Sequence, residues 1–245
     1  MNKQKNIILN KVINGCFQTK DLMKEECVSR EGVAFKIIFL LLTTFFSSFF
    51  IFKSVSDIEI LLTLMIITSI TQIILVILSF FLPIQAQKYI AVSYSVLEGL
   101  CLGAIFKILN YFYINVFPMV ILAAWITFGL FLLMSLVFYK EIISVNHKLF
   151  NFIKISSIVV LFLDLFLLIF NVGLLPYIIV GTFAVIIATF SLLLDFMAVE
   201  KIVQANISKE YEWKVAFGLQ ITLIYIFIRI FQLIKYLGFL KERER

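Results

Sequence analysis

The chain has 245 residues, 62% of them hydrophobic and only 15% charged, with a formal net charge of +6. Soluble domains are usually ~45–50% apolar and ~25% charged, so this composition excludes a soluble globular enzyme and indicates a polytopic all-α membrane protein without a separate soluble domain. The positive charge sits between and beyond the apolar runs, as positive-inside topology requires, and no basic stripe interleaved with aromatics points to nucleic acid.

Residues 1–31 read as a polar cytoplasmic tail. The tail lacks the short apolar core and small-residue cleavage site of a signal peptide, so the first span, beginning near Val33, is expected to act as an uncleaved insertion signal. Cys16, Cys27 and Cys101 make no even disulfide framework and no His lies near the first two, which favours thiols over a metal site. Seven apolar runs follow, at about Val33–Phe52, Ile60–Leu82, Tyr89–Ile108, Ile114–Tyr139, Phe152–Phe170, Tyr177–Val199 and Val215–Tyr236. Their length predicts spanning helices, because a membrane strand would be ~9–11 residues of alternating polarity. One transmembrane bundle over residues 32–240 and a charged tail over 241–245 complete the organisation. Pro83, Pro118 and Pro176 fall at or near predicted span ends, where a missing N–H costs little.

With the N-terminus inside, the inner segments carry thirteen Lys and Arg, while the outer loops carry only Lys53 and Lys107. The count favours an N-terminus in the cytoplasm. Seven full crossings then put Lys235, Lys241, Arg243 and Arg245 outside, against the rule. A re-entrant last segment would bring them back, but the last run is long enough to cross, which favours an outer C-terminus.

Away from the span ends stand three acids, Glu98, Asp164 and Asp195, and one base, Arg229. A charge at bilayer depth costs roughly 2.5–3.5 kcal/mol on insertion scales and marks a functional candidate. About thirteen Leu, Ile, Phe and Val residues at roughly −0.3 to −0.6 kcal/mol each offset the single Arg of Val215–Tyr236. On the third span, Gly99 and Gly103 form a small-xxx-small pair next to Glu98, so this face is expected to pack closely on another helix. On the last span Gly218, Thr222, Tyr225, Arg229, Gln232 and Tyr236 recur at alternating spacings of four and three, which places them on one helical face. That polar stripe is expected to face a cavity or other helices, with Gly218 as a packing residue. Each acid has two readings, a structural group paired within the bundle or part of an ion or proton path, and Arg229 is expected to neutralise one of them. Glu200, Lys201, Glu210 and Glu212 read as a solvated inner loop, Tyr89 and Trp213 as interfacial anchors, and His147 as an exposed loop residue.

Depth restricts the pairing. At 1.5 Å per residue, Asp195 lies roughly 6 Å from the inner end of its predicted span and Arg229 roughly 21 Å from the inner start of the next. Straight helices leave them about 15 Å apart in depth, so Arg229 is expected to meet Glu98 or Asp164, and Asp195 to guard the inner mouth.

Enzyme signatures are missing. The single His lies outside the apolar runs, and HExxH, GxSxG and phosphate-loop patterns do not occur. Asp164 and Asp195 lie on successive spans, as in intramembrane aspartyl proteases, but neither has the YD or GxGD context. The expectation is no enzyme, with no cofactor and no bound metal.

The stretch Tyr94–Phe106, YSVLEGLCLGAIF, resembles the third-span signature of the Bax inhibitor/YccA (TMBIM) proteins, an EG followed by small residues. Leu193–Glu200 (LLDFMAVE), Tyr211–Phe217 (YEWKVAF) and Gly218–Leu223 (GLQITL) are similar to the bacterial YccA-like branch, and the resemblance covers the chain from about Glu31. It implies a seven-helix bundle with the last helix central. It also implies a pH-gated calcium leak through carboxylates on the sixth and seventh spans, in a bacterial inner membrane. A bacterial relative modulates a membrane-bound protease, so the competing expectation is a non-conducting regulator of such a partner. Glu98 and Asp195 match acidic family positions. Met197 stands where that branch often has a second acid, and Val215–Leu240 contains no Asp or Glu, so at the seventh-span acid this chain offers Tyr225 or Arg229. Two carboxylates sharing a proton can switch near neutral pH, whereas an acid facing an Arg stays ionised. A fixed positive charge in a pore lining opposes a divalent cation.

Overall fold

A chain this apolar must satisfy its backbone hydrogen bonds internally when no water is available, and continuous helix is the simple solution. The computed structural model describes residues 27–112, 116–140, 147–170 and 173–243. The expected N-terminal tail through residue 26, with Cys16, lies outside them. Among the described residues there are seven α-helices: α1 (Arg30–Ser54), α2 (Ile58–Phe81), α3 (Gln87–Phe112, entered through a 3-10 turn Ile84–Ala86), α4 (Val116–Tyr139), α5 (His147–Phe170), α6 (Leu174–Gln204) and α7 (Tyr211–Arg243). All seven are long and apolar enough to cross a membrane. Among the described residues there is no strand, only an isolated antiparallel bridge between Cys27 and Ser208.

Caps mark the helix starts. Ser29 accepts from the Gly32 N–H at 2.9 Å and Asp57 from the Glu59 N–H at 2.9 Å, each satisfying a donor that the first turn leaves open. Inside the helices, hydroxyls turn back on their own backbone: Thr44 donates to the Leu40 carbonyl, Thr127 to Ala123 and Thr189 to Val185. That removes a polar group from an apolar environment at no cost to the span. Pro118 and Pro176 sit in the first turns of α4 and α6, where the N–H they lack has no intrahelical partner. The helices outrun the apolar stretches. α6 continues to Gln204, absorbing Glu200 and Lys201, which were expected in a solvated loop. α5 begins at His147, and α7 runs unbroken to Arg243 into the expected tail. Polar residues such as Glu, Lys and Gln are good helix formers, so apolarity ends before helicity does. α7 is one continuous helix with no break at which to re-enter, so its two ends lie at opposite ends of the bundle.

The two least apolar helices, α3 and α7, are the most buried: 61% of the apolar window of α3 and 44% of that of α7 lie inside the bundle. The last helix is central, as expected, and shares that place with α3. Lipid solvates apolar side chains, so the helices carrying polar groups are the ones covered by protein. α7 packs against α1, α3, α4 and α6, whereas α2 rests chiefly on α3 and α5 chiefly on α6. The α1–α3 contact is close because of glycine. A Cβ on Gly99 would stand 2.3 Å from the Thr44 carbonyl oxygen, and one on Gly103 would stand 2.4 Å from that of Ser48.

On the side where α1 begins, the chain is tied down by polar contacts. The Val28 N–H donates to the Ile207 carbonyl at 2.9 Å, which holds the start of α1 against the α6–α7 connection. Asn206 turns that connection with φ 50°, a left-handed conformation that Asn tolerates. Glu212 was expected in solvent but is 0% exposed. It accepts from the Ser29 N–H at 2.9 Å and the Ser29 hydroxyl at 3.1 Å, and it pairs with the Lys36 ammonium. Gly32 makes room, since a Cβ there would stand 2.3 Å from the carboxylate. Trp213 receives the Lys36 and Lys88 ammoniums at 5.3 and 5.7 Å from its ring centre. Sequence reading misplaced Glu212 because a charge before an apolar run resembles a loop; its partners lie 176 and 183 residues away.

Two substitutions test this packing. Gly103→Val should lower thermal stability in detergent by at least the ~1–3 kcal/mol of ordinary overpacking, because backbone must move, while Gly129→Val, whose Cβ meets nothing within 4 Å, should change little. Glu212→Ala leaves Lys36 without its carboxylate and should cost about 3–5 kcal/mol, and adding Lys36→Met should recover much of that loss. Equal melting temperatures for Glu212→Ala and the double variant would contradict the pairing.

Candidate functional site

The candidate residues are arranged around α7, whose polar groups divide between two opposite faces. Gln220 and Thr222 are two residues apart, about 200° around a helix. On the Gln220 face, Phe217 meets Tyr94 edge-on at 5.1 Å, and Phe227 and Phe231 meet Phe106 at 6.0 and 5.2 Å. Gln220 itself is 0% exposed. It accepts from the Ser95 hydroxyl at 3.0 Å and donates to the Thr44 hydroxyl at 3.1 Å, joining α7 to α3 and α1. On the other face, Leu233 fills the space over Gly181 of α6, and Tyr236 meets Tyr177 at a 39° tilt with ring centres 5.8 Å apart.

Arg229 lies on this second face and pairs with Asp164. Its Nη1 donates to Asp164 Oδ1 at 3.2 Å, its Nη2 to Oδ2, and Nη1 also reaches Gln232 Oε1 at 3.4 Å. The guanidinium carbon stands 5.0 Å from the Tyr225 ring centre, a cation–π arrangement. Depth explains the choice of partner. Asp164 is seventeen residues from the start of α5 and Arg229 eighteen from the start of α7. At 1.5 Å per residue both are roughly 26 Å from helix ends on the same side. Asp195, nine residues from the end of α6, is only roughly 14 Å in. The bidentate pair neutralises the base and is the geometry in which a guanidinium and a carboxylate bind best.

Asp195 faces Thr222, which lies at nearly the same depth on α7. Tyr225 and Arg229, offered by the sequence at the seventh-span acid position, are therefore not what meets it. Among the described residues, the buried Oδ2 of Asp195 has no hydrogen-bond partner. Glu98, 6% exposed, lies on α3 with Tyr94 as its polar neighbour one turn earlier. Tyr94 and Ser95 both reach the Gln220 face of α7, so Glu98 and Asp195 stand on opposite sides of that helix. The structure does not bring them together as a carboxylate pair.

The polar stripe is only partly covered. Arg229, Gln232 and Tyr236 are half-buried, but Tyr225 is 38% exposed. Gly218 is exposed, and a Cβ on it would meet nothing within 4 Å, so it is not a packing glycine. The close packing belongs to Gly99, Gly103 and Gly181. Sequence reading passed over Gln220 and Gln87, both 0% exposed; the Gln87 amide donates to the Ser79 carbonyl at 2.9 Å and ties α2 to α3. Gln220 is uncharged and lies opposite the stripe, so only its burial distinguishes it. Among the described residues no group of three or more His, Cys, Asp or Glu could hold a metal ion.

Seven membrane-length helices with α3 and α7 central, glycines of α3 against α1, and acids on α3 and α6 define the architecture. A search of curated proteins finds no match for the chain. The model of the family described as Bax inhibitor 1 like matches residues 5–238, nearly the whole sequence, and the chain belongs to that family.

Proposed function

We propose that this protein is a cation leak, with calcium as its leading ion, in the cell membrane of a bacterium and with a cytoplasmic N-terminus, of the YccA-like branch. The observation that carries the reading is the charge balance of the bundle interior. Arg229 is the base that would repel a divalent cation, and it is engaged by Asp164. Asp195 and Glu98 are left, and neither forms an ion pair among the described residues. Buried carboxylates without a counter-charge attract cations, and in membrane proteins such groups mark ion or proton pathways.

Asp195 is the residue on which we centre conduction. Among the described residues its Oδ2 has no hydrogen-bond partner, and Thr222 across from it offers a second oxygen. pH sensitivity then rests on a single acid and not on a shared proton. Protonation removes the charge that attracts the ion, so conduction falls as pH falls. Glu98, against the opposite face of α7, contributes negative potential without sharing the site.

The purified protein in liposomes loaded with a calcium indicator tests this. Calcium entry should decline from about pH 8 to about pH 6, Asp195→Asn should reduce it about tenfold or more and abolish its pH dependence, and Glu98→Gln should have a smaller effect. Absence of calcium or proton movement across that whole range would sink the conducting reading and leave the non-conducting regulator of a membrane protease in its place.

A further inference from the structure

A long groove runs between α1 and α4, with α7 and α3 as its floor. Its volume is about 1600 Å³, above the ~300–1,000 Å³ of ordinary small-ligand pockets. Phenylalanines line it, among them Phe45 and Phe49 of α1, Phe128 and Phe131 of α4, and Phe227 of α7. Phe45, Phe49 and Phe128 are more than half exposed, so the groove opens sideways toward the bilayer. At the end where α1 begins the lining changes to Arg30, Glu200, Gln204 and Tyr139. At the other end, around Phe52, Val116 and Phe117, the described lining residues are apolar; the Lys107 ammonium stands 5.3 Å from the Phe52 ring centre but is not among them.

We propose that this groove is a binding site for one phospholipid whose headgroup carries both a phosphate and an ammonium, as phosphatidylethanolamine does. The polarity of the lining argues for a molecule with one polar end. A transmembrane helix from a partner or a second copy is flanked by polar segments at both ends, and close helix packing uses small residues. Large aromatic walls suit flexible acyl chains. The collar supplies the headgroup chemistry. Arg30 Nη2 donates to Glu200 Oε1 at 2.7 Å, and Gln204 donates to the same oxygen at 3.0 Å. The Arg30 side chain is 66% exposed, leaving guanidinium donors for a phosphate. Glu200 keeps acceptor capacity for an ammonium. A cation and an anion side by side match a zwitterion, whereas an anionic headgroup meets Glu200 as a like charge.

The site does not depend on ion conduction. The test is native mass spectrometry of the full chain, reconstituted with equal amounts of phosphatidylethanolamine and phosphatidylglycerol and released in mild detergent. We expect one retained lipid, with phosphatidylethanolamine favoured roughly three- to tenfold. Arg30→Gln and Glu200→Gln should each erase that preference. Ala124→Trp, which puts an indole into the groove, should remove the lipid, while Gly129→Trp on the open face of α4 should leave it in place. Monodisperse protein with an unchanged melting temperature shows that each variant folds; any variant that fails this is replaced by the smaller Ala124→Leu or Glu200→Ala. Equal retention of the two lipids, retention unaffected by filling the groove, or a dimer that Ala124→Trp dissociates would each overturn the proposal.

Discussion

A charge in the interior of a membrane protein needs a partner, a water path or a functional reason, because solvation by lipid is so poor. That constraint organises this bundle. Among the described bases Arg229 lies deepest in the spans, and the acid at its depth on a neighbouring helix meets it: Arg229 and Asp164 form a two-pronged pair between α7 and α5. Once that pair is made, the remaining acids are no longer balanced, and they lie where α7 separates them, Glu98 toward α1 and α3 and Asp195 toward α6. α7 is therefore more than a central post. It carries a network-forming face built on Gln220 and a charged face built on Arg229.

The same constraint accounts for the inside-out arrangement of the helices. α3 and α7 are the least apolar and the most covered, while α2, the most apolar helix, sits at the edge; α5 also sits at the edge and turns Asp164 to α7. Close approach is obtained where side chains are smallest, at Gly99 and Gly103 against the α1 backbone. At the end where the chain enters the bundle, Glu212 gathers Ser29 and Lys36 around itself. This contact joins the first helix to the last and leaves the α6–α7 connection bridged to Cys27.

Much of this was legible without coordinates. Seven apolar runs of spanning length, prolines near their ends and a small-residue face beside Glu98 follow directly from residue chemistry, and a depth estimate alone disfavours an Asp195–Arg229 bridge. What the sequence hid falls into two classes. The end of α6 was placed too early and the start of α7 too late because Glu200, Lys201 and Glu212 are polar, yet these residues extend helices as readily as they fill loops. Partners across helices were hidden for a different reason: Ser95, Thr44 and Gln220 are small or neutral, and nothing local says that residues 125 and 176 positions apart will share hydrogen bonds. Gly218 illustrates the opposite error, in which a regular spacing assigned packing to a glycine that faces open space.

The division of charges across α7 is the core of this account, and thermal double-mutant cycles measure it most directly. Arg229→Met is combined in turn with Asp164→Leu, Asp195→Leu and Glu98→Leu, and the coupling energy of each pair is read from unfolding in detergent. Arg229 should couple to Asp164 by about 0.5–3 kcal/mol and to the other two acids by less than about 0.5. A coupling between Arg229 and Asp195 as large as that with Asp164 would contradict the account.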